Sequence, residues 1–186
     1  MYAVMINNLH LLFFLSLLFI FSESFAQEQV VLEKPIANFG RTYPIENPDY
    51  KTSLSEEYKV VFDISKASED PTEVNKYIET VARFLNMHVE AGKPLNSMHV
   101  YVVMHGPAAQ TLLKNEFYKE MFSTDNPNIA LYEALSSHGV EFLLCGQTSI
   151  ARNISEERRI PETKISLSAM TALIQLQNDG YRLIQF

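Results

Sequence analysis

Gly139-Val140-Glu141-Phe142-Leu143-Leu144-Cys145-Gly146-Gln147 decides the fold of this chain. A short apolar run bounded by glycines reads as a strand buried on both faces, the kind found in parallel sheets. It ends in the only cysteine of the 186 residues, with a glycine directly after it. In an α/β fold, ligands and reactive groups collect just beyond the carboxyl ends of the strands. A thiol there, with a following helix aiming backbone N–H groups at it, is a candidate thiolate.

Working outward, the residues before this strand predict a helix over 128–137 that Gly139 closes. Asp125-Asn126-Pro127-Asn128 supplies its start, with Asn126 as cap and Pro127 at the first helical position. Further back, Met98 to Met104 (MHVYVVM) is a second strand and Tyr58 to Ile64 (YKVVFDI) a first, both β-branched and aromatic. Between them Asp70-Pro71-Thr72-Glu73 has the pattern of a helix start, and Val74, Tyr77, Ile78, Val81 and Leu85 follow at helical spacing. Gly92 and Pro94 stop that helix. Short helical pieces are expected over 108–113, 117–122, 148–153 and 155–159. Lys164 to Leu167 is a fourth strand, Ala169 to Asp179 a mostly apolar helix closed by Gly180, and Tyr181 to Gln185 a terminal strand. Strands alternating with helices predict right-handed βαβ units. The expected fold is α/β, a three-layer α/β/α sandwich on a mainly parallel five-stranded sheet. The apolar side of the last helix (Met170, Leu173, Ile174, Leu176) is core or a subunit interface, core being the commoner case.

The beginning of the chain reads differently. Leu9 to Phe21 is almost all Leu, Phe and Ile, and Ser24 and Ala26 match an A-x-A-like cleavage site, predicting a signal peptide over 1–26 removed after Ala26. The run falls short of the roughly 20 residues of a spanning helix. A periplasmic or secreted protein is expected, with no membrane span after cleavage. Residues 27–57 carry Pro35, Gly40, Pro44 and Pro48 without sustained periodicity, so they predict an extended arm that crosses the domain surface or reaches a neighbouring subunit. Residues 58–186 form the domain proper, long enough for one full core.

Charge narrows the partners. The net formal charge is −7, and loss of Glu23 with the leader leaves 21 acids against 15 bases. No Lys/Arg run exceeds two residues, which disfavours binding to nucleic acid through phosphate neutralisation. One cysteine cannot close an internal disulfide, so stability comes from the core.

Two residues are the leading site candidates. Cys145 is either a reactive strand-end thiolate or a packing residue, since free cysteines are often simply buried. Gly146 lets a ligand or backbone approach the sulfur, Gln147 offers a neutral donor or acceptor, and a helix opening at Thr148 would favour the thiolate. His105 ends the second strand as Cys145 ends the third, so both belong to one sheet edge, where a Cys/His pair can activate a thiol. The alternative for His105 is a histidine hydrogen-bonded to backbone at the turn that Gly106 and Pro107 fix. Asp63, by position, lies at the same edge. His88, His99 and His138 have no ligand spacing, and a single cysteine does not make a zinc site, so no metal and no cofactor are expected.

Several separated motifs, in order, carry a family resemblance. Tyr58-Lys59-Val60-Val61-Phe62-Asp63, Ala82-Arg83-Phe84-Leu85-Asn86-Met87-His88, Val103-Met104-His105-Gly106-Pro107-Ala108, Asp125-Asn126-Pro127-Asn128, Leu144-Cys145-Gly146-Gln147 and Leu167-Ser168-Ala169-Met170-Thr171-Ala172-Leu173 resemble the DsrE/DsrF-like family, over about residues 58–186. The leader and arm look like an exported branch of it. The resemblance implies a parallel α/β fold, a homo-oligomer, and kinship with TusD-related sulfur-relay proteins, in which a strand-end cysteine takes up sulfur as a persulfide. That role falls on Cys145, with His105, Gly106, Gly146, Gln147 and Asp63 around it. The implied partner is a sulfur donor or acceptor, protein or small thiol. The competing expectation is a non-catalytic oligomeric module of the same fold that binds a small ligand or serves structure alone.

Overall fold

The computed structural model describes residues 33–186. The expected signal peptide over 1–26 and the first residues of the arm lie outside the described residues. Five strands form the sheet: β1 (Tyr58–Ile64), β2 (Met98–Met104), β3 (Glu141–Cys145), β4 (Thr163–Ser166) and β5 (Arg182–Gln185). Their order is β4-β3-β2-β1-β5 and every pairing is parallel, as the alternating pattern predicts. The helices are α1 (Lys76–Glu90), α2 (Asn115–Phe122), α3 (Ile129–Ser137), α4 (Gly146–Ala151) and α5 (Ala169–Asn178), with 3₁₀ turns at Leu95–Ser97 and Gly106–Leu112.

Alternation along the strands divides the core in two. Phe62, Ile64, Val102, Met104, Phe142 and Leu144 point to one face, where Ile78, Val81 and Leu85 of α1 and Leu131, Tyr132 and Leu135 of α3 cover them. Val61, Val103 and Cys145 point to the other face, under Ala169, Ala172 and Leu176 of α5. The stripe of α5 that meets the sheet is Ala169, Ala172 and Leu176, with Leu173 packed beside it. Consequently Met170 and Ile174 are not core: they are 72% and 59% exposed, on the side of α5 turned away from the strands.

Helix starts differ from the sequence expectation: α2 begins at Asn115 and α4 at Gly146, each two residues early, and two caps fall on other residues. Asp70 does not cap α1. Its carboxylate instead closes a local turn by accepting from the N–H and hydroxyl of Thr72, at 2.8 and 2.7 Å. The cap is the buried Asn75, whose Oδ1 accepts from Tyr77 N–H at 2.9 Å. Likewise α3 starts at Ile129, with Asn128 rather than Asn126 at its cap position. Asn126 turns inward and donates to the carbonyls of Thr111 and Leu113, and its Oδ1 accepts from the N–H of Asn128. Asn75 and Asn126 are both buried and join chain segments: Asn75 donates to the Lys66 carbonyl, and Asn126 to those of Thr111 and Leu113.

The described part of the arm crosses α1. Ile36 is 1% exposed, and the side chain of Asn86 holds the passing backbone: its Oδ1 accepts from Ile36 N–H, and its amide donates to the carbonyls of Ile36, Phe39 and Gly40. Gly40 passes so close that a Cβ there would lie 2.3 Å from the backbone nitrogen of Arg83. Nearer the first strand, the buried Lys93 donates to the carbonyls of Ser53 and Glu56 and stands over the Tyr58 ring.

Candidate functional site

Cys145 is the last residue of β3 and immediately precedes α4. Its parity with Leu143 sends the sulfur to the α5 face, and the residue is only 6% exposed. Burial pushes the thiol pKa up. The N–H and hydroxyl of Thr148 and the N–H groups of Ala169 and Gln147 outweigh that effect and bring it below the ordinary thiol value. Gln147 and Thr148 belong to the first turn of α4, and Ala169 is the first residue of α5. Two helix starts therefore converge on one sulfur atom. Hydrogen bonds to an ionised group are about twice as strong as neutral ones, so this arrangement favours the thiolate.

The local sequence produces this nest for definable reasons. A Cβ on Gly146 would lie 2.7 Å from the carbonyl oxygen of Ser166 and 3.1 Å from that of Leu167. Glycine thus lets the connection between β4 and α5 close over β3 and deliver Ala169 to the sulfur. Ser168 caps α5, its Oγ accepting from Thr171 N–H at 3.0 Å. Gln147 contributes its main chain; its side-chain amide reaches the Leu167 carbonyl at 3.4 Å.

His105 follows β2, and its N–H donates to the Ile64 carbonyl at 3.1 Å, continuing the ladder with β1. Because Met104 pairs with Leu144, the next positions on the two strands are His105 and Cys145, on neighbouring strands about 4.8 Å apart. The ring is turned toward β1: His105 Nε2 lies 2.8 Å from Asp63 Oδ1. The other carboxylate oxygen, Oδ2, accepts from Gln185 Nε2 at 3.1 Å. Gly106 adopts φ +54°, in the left-handed region, and its N–H donates to Thr148 Oγ1 at 3.3 Å.

The structure thus gathers Cys145, His105, Gly106, Gly146, Gln147 and Asp63 at one edge of the sheet, with the sulfur bound by backbone and hydroxyl donors and the histidine bound by the aspartate. The Thr148 hydroxyl, the Ala169 N–H and Gln185 join the site without being among the residues that the sequence points to. The S-x-x-T spacing from Ser168 to Thr171 marks the α5 start that places Ala169, whereas nothing in the sequence links Gln185 to Asp63 across 122 positions. Among the described residues, the remaining histidines lie elsewhere. His88 packs against Tyr58 and Phe84, His99 faces Glu57 at 3.8 Å, and His138 bonds the Ala134 carbonyl. A cleft of about 690 Å³, lined in part by His99, Tyr101, His138, Glu141 and Tyr181, opens at the opposite, amino edge of the strands. Among the described residues, no three His, Cys, Asp or Glu side chains gather as a metal site, and no helix is long and apolar enough to cross a membrane.

Comparison with known proteins agrees with this architecture. Residues 59–186 match the model of the DsrE/DsrF-like family. A solved structure of a protein of unknown function, MTH1491 from Methanobacterium thermoautotrophicum, superposes with a TM-score of 0.53 at 20% identity, covering 70% of this chain and 100% of that one. At that identity the likeness speaks to the fold. No curated protein sequence matches the chain.

Proposed function

Since the chain belongs to the DsrE/DsrF-like family, we propose that it is a sulfur carrier in which Cys145 takes up sulfur as a persulfide and passes it on. The supporting observation is the nest of donors around a buried sulfur. A cysteine that only packs needs no hydrogen-bond donors; one that works as a thiolate does. The Cys145 thiolate attacks the outer sulfur of a persulfide R–S–SH, the S–S bond breaks, and Cys145–S–SH forms as RS⁻ departs. An acceptor thiolate then takes the outer sulfur by the same exchange, and Cys145 returns to its starting state. Donor and acceptor are a partner protein or a small thiol, and the exchange is sulfurtransferase chemistry.

Incubation of the reduced protein with glutathione persulfide, followed by intact mass measurement, tests this. One added sulfur on the wild type and none on Cys145→Ala supports the role. Equal loading of both proteins ends it.

Two further features belong to the same proposal. The protein is exported, its leader removed after Ala26, which amino-terminal sequencing of mature protein from the producing cell checks. It also self-associates: Met170 and Ile174, one turn apart on α5, are 72% and 59% exposed, and Leu167 just before the helix is 73% exposed. Light scattering reports the assembly, and a monomeric wild type would refute it.

A binding module is the second possibility, and the cleft at the amino edge favours it, being of the size that holds small ligands. On that account ligand binding survives Cys145→Ala, because Cys145 is not among the cleft residues.

A further inference from the structure

Four strands contribute one residue each to a row on the α5 face: Cys145 from the end of β3, His105 just past β2, Asp63 on β1 and Gln185 on β5. Asp63 pairs directly with Gln185 in the sheet register. Its side chain is 10% exposed, and both carboxylate oxygens are engaged, Oδ1 with His105 and Oδ2 with Gln185. The histidine side chain is 32% exposed and so remains reachable from the surface. A carboxylate held from behind by an amide and facing an imidazole Nε2 fixes the ring's direction and keeps a proton on that nitrogen. Proton exchange then falls to Nδ1.

The sulfur does not require this histidine as a base. Its donors are Thr148, Ala169 and Gln147, and they favour the thiolate without proton transfer to a side chain. The step that does need a proton is the departure of the other thiol. We infer that His105, positioned by Asp63 and Gln185, is the acid that protonates the leaving thiolate when Cys145 takes sulfur, and the base that deprotonates the acceptor thiol when it gives sulfur up. This rests on the sulfur-carrier function proposed above.

The step balances without an oxidant. Cys145–S⁻, R–S–SH and the His105 imidazolium give Cys145–S–SH, R–SH and neutral His105. The electron pair of the broken S–S bond goes to RS⁻, which takes the Nδ1 proton. Discharge runs the same path in reverse, so the acid of one direction is the base of the other. On this account His105 is the catalytic residue, and Asp63 and Gln185 are positioning residues.

The test compares two electrophiles on the full chain. Glutathione persulfide releases an alkyl thiolate that gains from protonation, whereas the aromatic disulfide 5,5′-dithiobis(2-nitrobenzoate) releases a thiolate that is stable without it. For His105→Gln and Asp63→Asn, the rate with glutathione persulfide is expected to fall by about a hundredfold, a usual contribution of general acid catalysis. Their rate with the aromatic disulfide should stay close to wild type, and Gln185→Leu should show a smaller loss of the same kind. Equal slowing with both electrophiles would mean damage to the sulfur or the fold, and unchanged rates with both would mean no role; either overturns the inference. A wild type that reacts with the aromatic disulfide yet takes no sulfur from the persulfide instead overturns the sulfur-carrier function itself.

Discussion

The N–H of Gly106 donates to the hydroxyl of Thr148 at 3.3 Å, and that hydroxyl is among the groups that hold the Cys145 thiol below its ordinary pKa. A hydroxyl has one proton to give and lone pairs to receive with, so the incoming N–H leaves its own proton for the sulfur. The end of β2 is thereby coupled to the reactive atom at the end of β3.

Thr148→Val removes this link at nearly constant volume. A hydrogen bond to a charged group contributes about 1.5–3 kcal/mol, so the Cys145 pKa should rise by roughly one unit or more. The pH dependence of iodoacetamide labelling measures it. Thr148→Ser, which keeps the hydroxyl, should stay near wild type. For the wild type, labelling should set in below the free-thiol value of about 8.5; reaction only after denaturation would contradict the thiolate assignment.

Gly146→Ala should destabilise the domain rather than merely slow it. The new methyl would meet the carbonyl oxygen of Ser166 at 2.7 Å, and because that oxygen is backbone, β4 and the start of α5 must shift. Overpacking of this kind costs about 1–3 kcal/mol, or roughly 2–12 °C in Tm for a domain of this size. Ala169 N–H would be drawn away from the sulfur, so the Cys145 pKa should rise as well. Thermal melting and the labelling profile together check both effects, and a change in neither would contradict the close packing.

The contrast between these two positions shows what could be read from the sequence. Gly146 and Cys145 stand together in a run whose hydrophobicity and glycine punctuation already announce a buried strand with a site at its end, so strand, edge and cysteine were legible. Parallel order followed from the alternation of helices and strands. The hydrogen-bond donors were harder to see, because a backbone N–H has no letter of its own: Ala169 matters through its place at the start of α5, not through its side chain. The start of α1 is not legible because Asp70-Pro71-Thr72-Glu73 satisfies the pattern of a cap and yet closes a separate turn, leaving the helix to Asn75. Core, the commoner of the two expectations for Met170 and Ile174, fails because two of the residues that meet the sheet from α5 are alanines, Ala169 and Ala172, which carry little hydrophobic signal.

Asn86→Ala should release the arm. This one buried side chain makes four hydrogen bonds to Ile36, Phe39 and Gly40, and its removal strands the Ile36 N–H together with three carbonyls. An unsatisfied buried group costs about 1–3 kcal/mol, so detachment of the segment is the cheaper response. Hydrogen exchange over residues 36–40 should accelerate by roughly fivefold to a hundredfold while the sheet stays protected, the range to which about 1–3 kcal/mol converts. Exchange unchanged in the arm would show that Ile36 packing alone holds it.

His88 gives the domain an acid limb. Burial against Tyr58 and Phe84 lowers its pKa, the bond to the Phe84 carbonyl partly offsets this, and nearby Lys93 lowers it further. The unfolded chain therefore takes up the proton first as pH falls. The stability due to neutral His88 is fully present above the unfolded value of about 6.5 and is lost progressively as pH drops below it toward the lower folded value. Urea denaturation at pH 7.5 and at pH 5.5 should show a loss on acidification for the wild type. His88→Phe keeps an aromatic ring between Tyr58 and Phe84 but cannot titrate, so its loss between the same two pH values should be smaller. Equal losses in the two proteins would place the acid sensitivity on the carboxylates instead.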